Sequence, residues 1–386
     1  HLFESRRGGM RQRAGRERVI DSGEAHERGD RPGDGANHRV QSGHALERRV
    51  DQDVEQQRRR AQHCREGVDA KEQRDHAARP QNDPGGPRFA RLDPAQLAAC
   101  IQQWFADLGR ELGQHIAIDG KTLRGSGDKA AGKNPLHLVS AWASEARLTL
   151  GQIAVDSKSN EITAIPLLLE LLDLKGATVT IDAMGCQKEI AAKIVEGGGD
   201  YLLALKDNHP TLHEAVAQEF TAALEKDTPP AEMRQHTTVE ISRGRKERRI
   251  YAALPAPQSL PGFADWVGLA TLVAVIRITE VAGVETSEVS YFLSSLPTKV
   301  RKLAKLIRQH WSIESTLHWV LDVTFTEDAS RIRKQQAPQT SAMLRRLAVS
   351  ILSSDTSLKD NIRGKRYRAC LSTDVLERLI LNFARK

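Results

Sequence analysis

Apolar residues are distributed unevenly along this chain. Residues 1–87 hold only scattered apolar positions such as Val19 and Ile20, whereas from about residue 90 onward apolar residues recur at the spacings of strands and helices. The first segment has too little apolar surface to offset the entropy lost on ordering it. We therefore predict a polar, Arg-rich, largely disordered tail at 1–87 and a folded domain at 88–386.

The folded part is predicted to alternate between strands and helices. Asp93 has the character of an N-cap and Pro94 of a first helical residue, so a helix is expected to begin there. Short apolar runs predict three strands, then a helix, a strand, a helix and a strand. Strand-like segments then fill about 236–295, and helices close the chain. This order predicts an α/β fold, in which helices flank a mixed sheet that carries a β-rich insertion at about 236–295.

One carboxylate falls on the apolar side of a predicted late helix. Ile307, His310, Glu314, Leu317 and Leu321 recur at intervals of three and four residues, which places them on one face pointing toward a core. A buried carboxylate is unfavourable unless it is paired, hydrogen-bonded or bound to a cation. Glu314 is therefore expected to have a partner.

Two aspartates are candidates for the same site. Asp119 ends the first predicted strand and Asp182 lies near the end of the fourth, where it alternates with Ile181. If these strands are neighbours, both aspartates emerge at one end of the sheet, and the late helix can bring Glu314 to them. The alternative for each aspartate taken alone is a turn or cap residue.

Three clustered carboxylates would repel one another unless divalent cations neutralised them. Oxygen ligands without Cys or His favour Mg²⁺ or Mn²⁺ over zinc. Two such ions can activate water or a 3′-hydroxyl and stabilise the leaving oxygen at phosphorus. The predicted chemistry is phosphodiester cleavage and transfer.

Charge and cysteine content exclude some classes of protein. The formal net charge of +7 is compatible with a nucleic-acid partner. The four cysteines are far apart and form no CxxC pair, which argues against a zinc ribbon or a disulfide framework and fits a cytoplasmic setting. No apolar run reaches the roughly 18 residues of a membrane span, so no membrane partner is expected.

Four segments carry a resemblance to a known family. IAIDGKTLRGS, TIDAMGCQ, YLLALKDNHPTLH and RQHWSIESTLHWVLDVTFTEDASRIR resemble signature segments of bacterial H-repeat-associated (ISAs) insertion-sequence transposases. The match runs in order from about residue 88 to the C-terminus. It implies a ribonuclease H-like core and DDE chemistry, with two Mg²⁺ (or Mn²⁺) ions cleaving and transferring DNA strands at insertion-sequence ends. It also implies double-stranded DNA partners (transposon ends and target), a homo-oligomer on DNA, and a nucleoid-associated protein.

Carried over residue by residue, the resemblance implies that Asp119, Asp182 and Glu314 are the catalytic, metal-binding triad. The interval of 132 residues between Asp182 and Glu314 suits a β-rich insertion before the glutamate. Other acidic residues in the matched motif are fallback candidates for the third ligand: Asp322, Glu327 and Asp328.

Several side chains around these segments are expected to contact DNA: Lys121, Arg124, Lys206, Arg308, His310, Trp319, Arg331 and Arg333. For the lysines and for Arg124, the alternative is ordinary surface charge. His310 is more simply a satisfied core histidine. Trp311 and Trp319 could stack on a flipped base, but core packing is the expected use of both.

The sequence departs from the family before residue 88. Similar proteins read like NDTFGRVFARLDP where this chain reads NDPGGPRFARLDP, and the composition ahead of it resembles translation in a wrong frame or from a misplaced start. Two alternatives to an active transposase therefore stay open. One is an inactive DNA-binding remnant, and the other is a ribonuclease H-like nuclease that only hydrolyses.

Overall fold

The computed structural model describes residues 89–107, 115–128, 130–155, 161–225 and 230–384. The tail predicted at 1–87, with its suspected change of frame, lies outside these residues. Within the described ranges, no helix combines the length and the apolar character needed to cross a membrane.

One mixed sheet forms the centre of the described chain. Its strands are β1 (His115–Thr122), β2 (His137–Ala143), β3 (Leu148–Val155), β4 (Thr178–Ile181), β5 (Asp200–Leu205), β6 (Arg234–Ser242), β7 (Arg245–Pro255), β8 (Thr271–Val281) and β9 (Val284–Ser294). They lie in the order β3-β2-β1-β4-β5-β9-β8-β7-β6. The strands β1, β4 and β5 run parallel, and the other neighbours pair antiparallel. The predicted mixed sheet of an α/β fold is confirmed.

Helices flank this sheet. They are α1 (Pro94–Asp107), α2 (Glu161–Glu170), α3 (Lys188–Glu196), α4 (Pro210–Leu224), α5 (Val300–His310), α6 (Trp319–Val323), α7 (Ala337–Ser354), α8 (Ile362–Leu371) and α9 (Thr373–Ala384), with a π-helical segment (Ile313–His318) between α5 and α6. As predicted, Asp93 caps α1, because its Oδ1 accepts a hydrogen bond from Ala95 N–H at 2.7 Å.

The strands between residues 234 and 294 extend the sheet beyond β5 as two hairpins. A turn at Ala282 and Gly283, with φ of 50° and 78°, joins β8 to β9. A second turn, at Arg243 and Gly244, joins β6 to β7. An Arg-Gly pair within a run of polar and β-branched residues is a weak turn signal, so the pattern alone did not separate β6 from β7.

The two faces of β1 pack against different helices. Ile116 and Ile118 belong to a core shared with α2 and α3. Ala117 packs instead with Ile313 and Leu317 of the π-helical segment. Because side chains alternate along a strand, Asp119 follows Ala117 onto the face covered by the π-helical segment.

Candidate active site

The first and fourth strands are neighbours, which is the condition under which the sequence brings the two aspartates together. In the parallel pairing of β1 with β4, Ile118 lies opposite Ile181. The next residue on each strand is an aspartate, so Asp119 and Asp182 leave the paired region side by side. The alternation of the strands directs both side chains to the same face of the sheet.

Asp119 lies within β1 and not at its end, where the sequence placed it. The strand continues to Thr122 because β2 pairs with it over this stretch, with Asp119 opposite Ser140 and Thr122 opposite His137. The side chain of Asp119 is 18% exposed, and its Oδ1 accepts a hydrogen bond from Gly120 N–H at 2.8 Å. The carboxylate is therefore held in place but remains reachable from the open side.

Asp182 is fixed by a turn immediately after β4. Its Oδ1 accepts hydrogen bonds from Met184 N–H at 3.1 Å and from Gly185 N–H at 3.5 Å. Asp182 therefore is a cap residue, which was the alternative role considered for it from the sequence. Capping occupies one oxygen, so it is compatible with a role in binding.

Glu314 does not lie on a buried stripe, contrary to the prediction. Leu317 and Leu321 are fully buried, but Glu314 is exposed. The reason is the π-helical segment, in which Trp319 N–H donates to Glu314 C=O, five residues back. The wider turn removes Glu314 from the α-helical stripe, and such segments are frequent at functional sites.

Asp119 experiences the charges of the other two carboxylates. Burial first, and then the charges of Asp182 and Glu314, raise the pKa of Asp119 from 3.8 to about 7, against a lowering by its bond to Gly120. Among the described side chains, no group of three or more acids, histidines or cysteines is arranged to hold a metal ion. Carboxylate oxygens are nonetheless the donors that a hard divalent cation prefers, and such an ion would relieve the charge repulsion that contributes to this shift.

The fallback candidates for the third ligand are engaged elsewhere. Asp322 lies 2.7 Å from Lys121 Nζ, and Asp328 lies 3.4 Å from the same nitrogen. Glu327 is buried, with its Oε1 3.1 Å from Arg346 Nη1. No comparable salt bridge to Glu314 occurs in the part of the chain that the structure describes.

His318 belongs to the site but escaped the sequence analysis. Its Nδ1 lies 3.4 Å from Asp119 Oδ2, and its Nε2 is buried without a hydrogen-bond partner among the described residues. Burial, with the charges of Arg346 and Lys121, lowers the pKa of His318 to about 3, so the ring is neutral. The available signal was its position four residues after Glu314 in the same motif.

Two histidines that each bond the Thr180 hydroxyl support the end of β4. The Thr180 hydroxyl bonds His310 Nδ1 at 2.9 Å and His115 Nε2 at 2.8 Å, and His115 Nδ1 bonds Ser144 Oγ at 2.9 Å. Burial is the main cause that lowers the pKa of His310 to about 4, and the charge of Asp182 acts in the opposite direction. His310 thus has a hydrogen-bond partner inside the protein, as the simpler of its two expected roles requires. It also lies close enough to Asp182 to feel its charge.

Comparison with known proteins identifies the family of the chain. Residues 110–351 match the model of the transposase DDE domain. The chain belongs to this family.

The relatives of this transposase include H-repeat-associated proteins, so the resemblance seen in the motifs is confirmed. YbfL of Escherichia coli K12 and YhhI, which is named for the H-repeat-associated transposases, are each 38% identical over 291 residues, or 74% of this chain and 76% of the relative. YncI of Escherichia coli O157:H7 is 40% identical over 272 residues, or 69% of each chain.

A solved structure of the piggyBac transposase, a synaptic complex with hairpin DNA, also matches. The sequence identity is 12% and the TM-score 0.38. The match covers 69% of this chain and 54% of that chain, so this chain spans about half its length.

The cations expected to contact DNA fall into three groups in this transposase. Lys121 is only 8% exposed and is held by Asp322 and Asp328, so it is not available to a phosphate. Three arginines are accessible but bonded within the protein: Arg308 to both Glu240 oxygens at 3.0 and 3.1 Å, Arg333 to Gly125 C=O and Asp128, and Arg124 to Asp328 at 3.4 Å. Lys206 and Arg331 are exposed and have no salt-bridge partner within the described ranges.

The expected core packing of the two tryptophans is wrong. Trp311 is 52% exposed and Trp319 is 58% exposed. They lie on either side of the π-helical segment that carries Glu314. The structure therefore leaves indole surface exposed on both sides of Glu314.

Proposed function

We propose that this protein is a DNA transposase that cleaves strands at the ends of an insertion sequence and transfers them to target DNA. The observation that carries the proposal is the adjacency of Asp119 and Asp182 on parallel neighbouring strands, with Glu314 near enough for its charge to raise the pKa of Asp119. Membership of the DDE family supports it. Double-stranded DNA would be the partner, and a homo-oligomer near the nucleoid would act on paired ends.

Asp119, Asp182 and Glu314 would hold two Mg²⁺ or Mn²⁺ ions. Bound there, these ions would neutralise charge at the scissile phosphate and activate the attacking hydroxyl. The chain's own contribution is orientation: backbone N–H groups of Gly120 and Met184 fix the two aspartates. His310, held by Thr180, keeps a neutral ring near Asp182.

The surroundings of the triad fit a DNA substrate. Exposed Lys206 and Arg331 would contact phosphates, and the exposed rings of Trp311 and Trp319 would stack on a base displaced from the duplex. Arg308 and Arg333 would reach DNA only by exchanging their present carboxylate partners for phosphates. Lys121 would act indirectly, by holding the segment after α6 against β1.

The experiment compares the intact protein with Glu314→Gln on a DNA duplex that carries the element's own end, with and without Mg²⁺. We expect the substitution to abolish cleavage while salt-sensitive binding persists. Glu285→Gln, which neutralises an exposed carboxylate in the β8–β9 hairpin, is the matched control and should cleave normally.

Other outcomes would decide differently. Cleavage without joined target products would favour the nuclease that only hydrolyses. Binding without cleavage by the unmodified chain would favour an inactive remnant. Full cleavage by Glu314→Gln would remove Glu314 from the triad.

A further inference from the structure

The outer face of α5 carries positive charge and no negative charge. The helix reads VRKLAKLIRQH and contains no acidic residue. Its inner face is apolar, and Leu303, Leu306 and Ile307 are buried against the sheet together with Leu202 and Tyr251. The outer face exposes Arg301, Lys302 and Lys305, which we call the α5 basic face.

These charges do not stabilise the protein in an evident way. Arg301 and Lys302 occupy the first helical turn, where cations oppose the helix dipole, and Lys299 provides no side-chain hydrogen bond at the N-cap. Within the described ranges, none of the three residues of the α5 basic face has a carboxylate in salt-bridge distance. Arg308, one turn further on, differs because it binds Glu240. Folding alone thus gives no reason for the positive charge.

The α5 basic face leads toward the triad. The helix packs across β1, β4 and β5 and ends at His310, whose ring bonds Thr180. The π-helical segment with Glu314 follows directly. Eleven residues span about 16 Å at 1.5 Å per residue, which equals roughly five base pairs of duplex at 3.4 Å each.

We propose that the α5 basic face binds the phosphodiester backbone of duplex DNA and guides it to the carboxylates. Its three cations are exposed and stand on long flexible side chains, which suits sequence-independent phosphate contact. DNA is the partner favoured over an acidic protein or an anionic membrane, because the face ends where a phosphodiester would have to lie for cleavage. The inference rests on the proposed function only for the choice of DNA as the partner.

The test measures the affinity of the full chain for a duplex by fluorescence anisotropy over a range of NaCl concentrations, without divalent ions. The variant is Arg301→Gln/Lys302→Gln/Lys305→Gln. The matched control, Arg363→Gln/Lys175→Gln/Lys359→Gln, also removes one arginine and two lysines that are exposed. We expect the first variant to reduce the slope of log K against log salt by about 2 to 3 and to weaken binding roughly 10- to 100-fold, and the control to match the unmodified protein.

Thermal denaturation shows whether a loss of DNA binding comes from the removed charges or from unfolding. Because two of the removed charges oppose the helix dipole, the variant should unfold at the same temperature as the unmodified protein or at a higher one. An equal loss of slope in both variants, or no loss in the α5 variant, would overturn the proposal. Unchanged DNA binding with lost binding to anionic phospholipid vesicles would assign the face to a membrane instead.

The two proposals can fail separately. A chain that never cleaves DNA but loses affinity through the α5 substitutions would retain this inference and lose the proposed function. If the unmodified chain cleaves DNA and the α5 variant keeps its affinity, the proposed function stands and this inference fails.

Discussion

At the scale of single residues, Asp119 shows how a site can oppose the stability of the fold that holds it. Its folded-state pKa of about 7 exceeds the ordinary value of 3.8, because burial and the charges of Asp182 and Glu314 disfavour the ionised form. The stability that the protonated carboxyl contributes is fully present below about pH 4 and is lost as the pH rises through 7. At pH values above 7, ionised Asp119 without a bound cation therefore lowers the stability of the folded protein.

The Asp119→Asn variant should consequently be more stable than the parent at pH 8 in the presence of EDTA. Each pKa unit corresponds to about 1.4 kcal/mol, so we expect a rise in Tm of roughly 5 °C at pH 8 and a smaller rise at pH 5. Differential scanning calorimetry at both pH values measures this. Asp322→Asn is the control, and it should lower the Tm because it removes a partner of Lys121. A fall of the same size in Asp119→Asn would contradict the prediction.

His318 is expected to position the Asp119 carboxylate through Nδ1. Asparagine can place an amide N–H near the position of Nδ1, whereas glutamine reaches the position of Nε2. Residues that orient metal ligands typically affect metal affinity or activity 10- to 100-fold. We expect His318→Gln to raise the Mg²⁺ concentration for half-maximal cleavage about tenfold, with the rate at saturating Mg²⁺ largely retained, and His318→Asn to recover most of the loss.

The measurement is a Mg²⁺ titration of cleavage for the three proteins. Equal half-saturation in all of them would show that His318 does not act on Asp119. An equal loss in both variants, accompanied by a lower Tm, would assign a purely structural role.

At the scale of elements, the π-helical segment is the feature that separates Glu314 from the buried leucines around it. In a regular α-helix, the spacing of Glu314 with Leu317 and Leu321 would direct all three into the core. The wider turn instead leaves the carboxylate exposed while Ile313 and Leu317 stay buried. A local departure from α-helical geometry thus reconciles packing with access to the site.

Deleting Ser315 should return this segment to α-helical hydrogen bonding. We expect the shortened protein to remain folded, with a Tm within a few degrees of the parent, and to lose cleavage by at least about 100-fold because Glu314 changes direction. Ser315→Ala preserves the chain length and should cleave normally. Near-normal cleavage by the deletion variant, measured with folding confirmed by circular dichroism, would show that the π turn is dispensable.

At the scale of the whole molecule, ion pairs connect the segment after α6 to β1 and to α7. Arg346 of α7 is 1% exposed and pairs with buried Glu327, and Lys121 of β1 pairs with Asp328, which lies 207 residues away. These contacts hold the segment after α6 against the sheet. Glu327, Asp322 and Asp328 therefore stabilise the fold around the site through these ion pairs.

Glu327→Gln should therefore reduce stability, because it leaves the guanidinium of Arg346 buried with less compensation. Breaking a buried pair typically costs 3–5 kcal/mol, so we expect a fall in Tm of roughly 6–15 °C. The double variant Glu327→Gln/Arg346→Met should recover part of this loss. Thermal denaturation tests the prediction. An unchanged Tm together with abolished cleavage would contradict it and would make Glu327 a candidate metal ligand again.

The sequence by itself determined those features whose signals are local. Asp93 followed by Pro94 indicated where α1 begins, and the alternation of Val179 with Thr180 placed Asp182 on a definite side of its strand, because capping and pleating depend on adjacent residues. The motifs likewise indicated the family, and the catalytic role that they imply for the three carboxylates stays a prediction.

Only the tertiary structure decided which strands pair, how far β1 continues, and which side chains reach solvent. The pairing of Lys121 with residues of the late motif, the exposure of Trp319 and the displacement of Glu314 all depend on contacts between segments far apart in the chain. Such contacts leave no periodic trace in the sequence, because each partner is chosen by the packing of the whole fold and not by its neighbours in the chain.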